Sequence, residues 1–252
     1  MLNAQDVTRK HIQDALSDGI DAAAAQLAAK RKAERERKAA LLSLLLALSP
    51  ALVAKVQAGI VRGRQAARAS AAKRVVAELT AAGIVLGPQG ITANRPLLAA
   101  AQMNRAADDA IHARAAAESL VTQWRGLAVH ASRVAERDGE DDVAAIVRTK
   151  AIMVPRVERT ANTETAVAYN EEHGEVVREM ARYDDAFERE LADADVMREW
   201  SAMADACENC WPRDGEQIGI NDSWSGPDPG EMHIGCRCIE FYISAREARM
   251  SA

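Results

Sequence analysis

Aromatic residues are scarce in this chain: 4% of its 252 residues (four Trp, three Tyr, two Phe). Trp124 is the only one that precedes Tyr169. A front half so poor in rings offers no platforms on which nucleic-acid bases could stack. Its core must come from alanine and aliphatic side chains. Cysteine is scarcer still, four in all, every one between Cys207 and Cys238, which excludes a disulfide framework spread along the chain. The longest apolar run, Ala39–Ala54, is about 16 residues, interrupted by Ser43 and by Ser49-Pro50. A spanning helix wants roughly 20, so the run reads as a buried helix or an interface with partner chains, and no stable membrane anchor is expected. Met1–Asp21 lacks the apolar core of a secretory signal. The chain is therefore expected in a reducing cytosol, which favours metal over disulfides for its cysteines.

The charge is divided unevenly. Residues 1–75 carry 14 Lys+Arg against 6 Asp+Glu, residues 76–150 carry 8 against 9, and residues 151–252 carry 10 against 22. A total of −5 thus conceals a basic arm and an acidic end, which suggests different partners for each.

Along the chain the pattern is first helical. Ile12, Leu16 and Ile20 recur every four residues, and Leu27 follows at seven. Ser49-Pro50 reads as an N-cap and first helical residue, predicting a turn and a second helix that carries Leu52, Val56, Ile60, Val75 and Leu79 and stops at Gly83. Lys30, Arg31, Lys32, Arg35, Arg37 and Lys38 form one basic band. Arg62, Arg64, Arg68, Lys73 and Arg74 form a second on an exposed face. Such bands could neutralise phosphates without reading sequence; a solvated or protein-facing surface fits them as well. The Gly- and Pro-rich connector 83–96 has no G-K-[ST] after it and is not a phosphate loop.

A long Ala-rich helix is expected from Pro96 to about Glu136, burying Leu97, Ile111, Leu120, Trp124 and Leu127, and stopped by Arg137-Asp138-Gly139. Asp141 or Asp142 caps a short helix to Lys150, Pro155 breaks the chain, and Arg159 to Tyr183 is helical again. Val196–Trp200, Glu216–Ile220 and Ile239–Ile243 read as short strands, the last alternating through Ile239, Phe241 and Ile243. The loop from Asn221 to Gly230 looks too polar to be core. The fold class is mainly α: long Ala-rich N-terminal helices followed by a small α+β C-terminal domain. The segments are 1–83, a basic helical hairpin arm; 84–154, a connector and long helix; and 155–252.

Cys207-x-x-Cys210 faces His233-x-x-Cys236-x-Cys238. That offers five soft or borderline donors where tetrahedral zinc needs four. Two disulfides or clustered free thiols are the alternatives. Cys236 and Cys238, two apart on a strand, would point to one face and could bind without His233, or His233 could replace one of them.

The run Arg159-Thr160-Ala161-Asn162-Thr163-Glu164-Thr165-Ala166-Val167-Ala168-Tyr169-Asn170 resembles the "ARTET…A.N" helix of the tailed-phage minor head proteins, the Mu F-like head-morphogenesis family. The family's second block is matched in order by Trp200, Asp205, Cys207-x-x-Cys210, Asp214-Gly215, Pro229, His233 and Cys236-Arg237-Cys238. Asn162 stands where the family has Arg, with Arg159 one helical turn earlier; Ile234 and Gly230 replace two prolines. The resemblance covers roughly residues 155–243 and implies a non-enzymatic virion component. Such a protein would sit inside the capsid near the portal, oligomeric in the assembled head and present in host cytoplasm during assembly. It would assist head assembly, DNA packaging or delivery. The basic arm could touch packaged DNA.

A rival enzyme reading rests on His173-Gly174-Glu175 followed by Cys207-x-x-Cys210, the ligand order of zinc-dependent nucleoside deaminases. Ala206 stands where that motif has Pro, and a helix rather than a strand precedes His173. His173 then reads as an exposed helix residue among glutamates. A cytosolic zinc-stabilised DNA-binding protein is a further reading, opposed by the acidity of the zinc-bearing end.

Overall fold

The computed structural model describes residues 2–29, 34–84, 95–183 and 185–244, of which 2–3, 27–29, 34–42, 95–104 and 183 are described by their backbone alone. It is mainly helical: α1 Leu2–Ala29, α2 Glu34–Ala81, α3 Arg95–Asp138, α4 Asp142–Tyr183 and α5 Asp185–Asp193. Three strands follow, β1 Val196–Ser201, β2 Gln217–Gly219 and β3 Ile239–Ser244. They form an antiparallel sheet in the order β2-β1-β3.

Two helix ends stop where glycine allows it. Gly83 takes φ +87°, its N–H donates to the Thr80 carbonyl, and the Ile84 N–H donates to the Leu79 carbonyl at 2.9 Å. Ile84 and Leu79 are both buried, so this left-handed cap is closed by an apolar contact. Gly139 (φ +71°) ends α3 with the same pair of bonds, and Asp141 Oδ1 caps α4 by accepting from the Val143 N–H at 3.1 Å.

Two expected breaks are absent. Pro50 lies inside α2 and Pro155 inside α4. An interior proline removes one hydrogen bond and costs about 3 kcal/mol in an isolated helix. Here the flanking turns are anchored by buried Leu45, Leu52 and Val56 around Pro50, and by Met153 and Val157 around Pro155. The Ser49 hydroxyl, instead of capping a new helix, donates back to the Leu45 carbonyl. Because α2 is continuous, its Ser43–Ala81 stretch is long and apolar enough to cross a membrane by length and composition, contrary to the count made up to Ala54 alone. Leu44, Leu45, Leu52, Val56 and Ile60 of this stretch are buried against protein.

The chain divides into two compact units, each assembled from separated segments. Asp6–Arg62 and Asp109–Ala161 make one. Its core joins Ile12, Leu16 and Ile20 of α1 to Leu52, Val56 and Ile60 of α2, and to Leu120, Trp124, Ile146 and Met153. The Trp124 indole N–H donates to Thr149 Oγ1 at 3.2 Å. Gly19 lets α1 meet α2 closely, since a Cβ there would lie 2.7 Å from Leu52 Cδ1. Ile111, expected inside, is 67% exposed.

The other unit comprises Met1–Gln5, Gly63–Asp108 and Asn162–Ala252 and contains the sheet. β1 alternates, and the residues it turns inward are Val196, Arg198 and Trp200. β3 alternates in the opposite phase to the one read from its apolar residues: Glu240 and Tyr242 are buried, while Ile239, Phe241 and Ile243 are partly exposed. The register places Arg198 opposite Tyr242 and Trp200 opposite Glu240. Arg198 Nη2 then donates to Glu240 Oε2 at 2.6 Å on the inner face, and the Arg74 guanidinium covers the outer Phe241 ring at 4.8 Å. An ion pair inside and a cation over the outer aromatic explain why apolarity alone misassigns the face.

Candidate metal centre

Two irregular loops bring the donors together. The first connects β1 to β2. The Cys210 and Trp211 N–H groups both donate to the Cys207 carbonyl at 3.0 Å, folding Cys207-x-x-Cys210 into a tight knuckle that leads into a short 3-10 turn, Trp211–Arg213. Gly215 (φ +78°) turns the chain back, its N–H donates to the Trp200 carbonyl at 2.9 Å, and the Trp200 N–H donates to the Glu216 carbonyl at 2.8 Å. Asp214 accepts the Ala202 N–H at 2.8 Å, closing the base of the loop.

The second loop precedes β3. The Cys236 N–H donates to the His233 carbonyl at 3.0 Å, around Gly235 at φ +92°. This loop is held by α4. Thr163 Oγ1 accepts the Gly235 N–H at 2.6 Å. Asn170, 8% exposed, donates its amide to the Pro229 carbonyl at 2.6 Å and the Cys238 carbonyl at 3.0 Å, and its Oδ1 accepts the Glu240 N–H at 3.1 Å. Gly230 (φ +88°) lies so close that a Cβ would sit 2.9 Å from Asn170 Nδ2 and 3.2 Å from Ala166. A side chain at this position would meet both that contact and a strained left-handed backbone.

All five donors converge, in two overlapping groups that share Cys210: Cys207, Cys210 and His233, and Cys210, Cys236 and Cys238, each with its donor atoms within 4.8 Å of one another. His233 Nε2 lies 3.1 Å from Cys207 Sγ and 3.2 Å from Cys210 Sγ. His233 Nδ1 faces the Ile234 carbonyl at 3.2 Å, which sets the tautomer that turns Nε2 toward the sulfurs. Cys210 and Cys236 sulfurs are 3.8 Å apart, and all four cysteines are free. A disulfide would need about 2.05 Å. Two thiolates on one tetrahedral zinc, at Zn–S of about 2.3 Å, would be about 3.8 Å apart. The donor set fits a metal ion and is not paired as disulfides.

The donors differ in their hold on protons. The Cys238 thiol donates to Cys236, and with the Cys238 and Gly230 N–H groups it pulls the Cys236 thiol down to about 5. The Asn209 N–H lowers Cys207. Burial pushes Cys210 up to about 12, and its hydrogen bond to Cys236 raises Cys238. The Ile234 carbonyl raises His233.

Trp200 is fully buried beside the cysteines, edge-on to Trp224 with ring centroids 5.4 Å apart, and the Arg213 guanidinium lies 4.1 Å from its centroid. Trp224 is buried although its loop reads as polar; a lone tryptophan amid Gly, Pro, Asp and Ser was the available signal. Arg213, which also binds Glu216 at 2.7 Å, carried no sequence signal. Asp205 pairs with Arg237, which holds its carboxyl below the usual range. Comparison with protein-family models, with curated proteins and with solved structures returns no match.

The remaining site residues lie elsewhere. Arg159 is exposed on α4. Lys30, Arg31 and Lys32 fall outside the described residues, as do the side chains of Arg35, Arg37 and Lys38. Arg62, Lys73 and Arg74 are exposed, Arg74 bound to Glu78 at 2.7 Å. Arg64 and Arg68 do not belong to an exposed band. Arg64 is buried and binds Glu164 at 2.9 Å and Glu171 at 3.0 Å; Arg68 binds Glu171 at 2.6 Å and Glu172 at 3.5 Å. Their partners sit at helical spacing on α4, so two of the five residues of the second band hold α2 to α4 within this unit. His173 is fully buried, not exposed, and belongs to neither cysteine group; Glu175 binds Arg178 at 2.9 Å. The deaminase ligand set is therefore not assembled.

Arg64→Ala takes the guanidinium from Glu164, while Glu171 keeps Arg68, and should destabilise the protein by about 3 kcal/mol in urea unfolding, while Arg62→Ala should change it by less than about 0.5 kcal/mol. Asn170→Ala leaves two carbonyls and one N–H unpaired. It should cost about 3 kcal/mol by the same measurement, and Asn170→Asp should not rescue it, because a carboxylate would face the Pro229 and Cys238 carbonyls.

Proposed function

We propose that this chain is a non-enzymatic structural component of a tailed-phage head, a minor capsid protein that associates with the portal inside the capsid and assists head assembly, DNA packaging or delivery. The observation that carries the reading is the use made of the motif residues. Thr163 and Asn170, from the helix that resembles the Mu F-like family, are the side chains that grip the His233–Cys238 loop. Trp200 and Asp205, from the second block, pack against or brace the same cluster. Two blocks about 30 residues apart thus act as one structural unit, which is what a shared module requires.

Within it we read a structural zinc held by Cys207, Cys210, His233 and Cys236, since His233 reaches both Cys207 and Cys210 and the Cys210 and Cys236 sulfurs are 3.8 Å apart, with Cys238 donating to Cys236. A catalytic zinc keeps one position open for water or substrate; five converging donors leave none. The metal would clamp a sheet whose β2 is three residues long and supply folding free energy on the order of 10 kcal/mol. The charge division fits an acidic module that meets the portal and a separate basic segment, Lys30 to Lys38, whose charge would neutralise phosphates of packaged DNA.

Co-expression with the portal protein of a tailed phage that encodes a Mu F-like head protein tests the role. The full chain should co-sediment with portal rings and be incorporated into proheads. A chain that stays monodisperse and is excluded from both would overturn the proposal; release of ammonia from cytidine or adenosine would replace it with deamination.

A further inference from the structure

His173 is buried within the sheet-bearing unit and takes no part in the Cys/His cluster. Its ring is fully buried, stacked on Tyr242 at 4.7 Å with an 8° interplanar angle and on Tyr169 at 5.7 Å with a 20° angle. Both ring nitrogens meet carboxylates from different elements: Nε2 lies 2.8 Å from Glu78 Oε2 of α2, and Nδ1 lies 3.5 Å from Glu240 Oε1 of β3. Glu78 Oε2 also accepts the Tyr242 N–H at 3.0 Å, so one carboxylate oxygen ties the ring and the strand together.

We propose that His173 is a proton-operated latch: as a buried imidazolium it bridges Glu78 and Glu240 and holds β3 on α2, and loss of its proton releases that contact.

The reason is stoichiometric. A neutral imidazole has one N–H for two carboxylates, so the second carboxylate would face a ring lone pair in a site without solvent. The surrounding charges favour the cation. From α2 come Glu78 and Arg74, and Arg74 is itself bound to Glu78. From α4 come Tyr169 and Arg178, the latter bound to Glu175. From β1 comes Arg198, bound to Glu240, and from β3 come Glu240 and Tyr242. Burial opposes the imidazolium, but the two facing carboxylates, Glu240 across 3.5 Å and Glu78 in hydrogen-bond contact, outweigh it and raise His173 above its ordinary value of 6.5. Tyr169 and Tyr242 are pushed up by burial and stay neutral.

The sign follows from the raised value: the latch contributes its full stability below the unfolded value of 6.5 and loses it as pH rises through the folded one. This is a release on alkalinisation.

Two measurements on the full chain test it. In NMR, the His173 ring protons should titrate above 6.5; titration at or below 6.5 overturns the proposal. In hydrogen exchange, corrected for the intrinsic rate at each pH, protection of the 239–244 amides should fall at least tenfold between pH 6 and pH 9, and His173→Gln should flatten that dependence. Equal pH profiles for the two proteins would also overturn it. Should the glutamine variant not fold, Glu78→Gln, which removes one of the two carboxylates, must shift the loss of protection to lower pH; an unshifted profile counts against the latch.

Discussion

The C-terminal module depends on holding two loops of almost wholly irregular backbone against one another. One is pinned to β1 by backbone bonds at Trp200; the other is pinned to α4 by Asn170 and Thr163. Between them stand four thiols and an imidazole at contact distances. Hydrogen bonds inside each loop shape it but do not join the two. The joining falls to the Cys/His cluster, with the Trp200–Trp224 pair packed beside it, the Asp205–Arg237 ion pair at the rim and Arg213 donating to the Pro227 carbonyl at 3.2 Å. A sheet with a three-residue strand has little apolar area of its own, so whatever clamps the cluster also decides whether the sheet persists.

Buried charge is the second theme of this unit. Arg64, Arg68 and Arg105 meet Glu164, Glu171, Glu172 and Glu179 across helices, and Arg198 meets Glu240 in the sheet. Such pairs contribute little net stability against apolar replacements, yet breaking one partner is costly. Their use here is positional. An alanine-rich interface such as Ala67, Ala71 and Ala168 slides easily, since small side chains interlock weakly, and charge pairs at fixed spacing set its register.

Much of this was legible in the residues. Gly83 and Gly139 mark helix ends because only glycine enters the left-handed region cheaply, and the three strands announce themselves by composition. The Cys/His spacing identified the donors, and the motif residues around Asn170 and Trp200 proved to be their supports. What stayed hidden was decided by tertiary contact. Pro50 and Pro155 break helices in isolation, but packing on both sides carries α2 and α4 through them. β3 presents its apolar residues outward because Glu240 has an arginine and a histidine waiting inside. His173 and Arg64 look like surface residues until their partners, 95 and 100 positions away, are in place.

The metal content of the purified full chain tests the account most directly. About one zinc per chain is expected, retained on dialysis. Its removal by a strong chelator should unfold the sheet-bearing unit, as should Cys207→Ser or Cys236→Ser, while Cys238→Ser should keep the metal. A metal-free protein with all four thiols titrating freely and the sheet intact would contradict it.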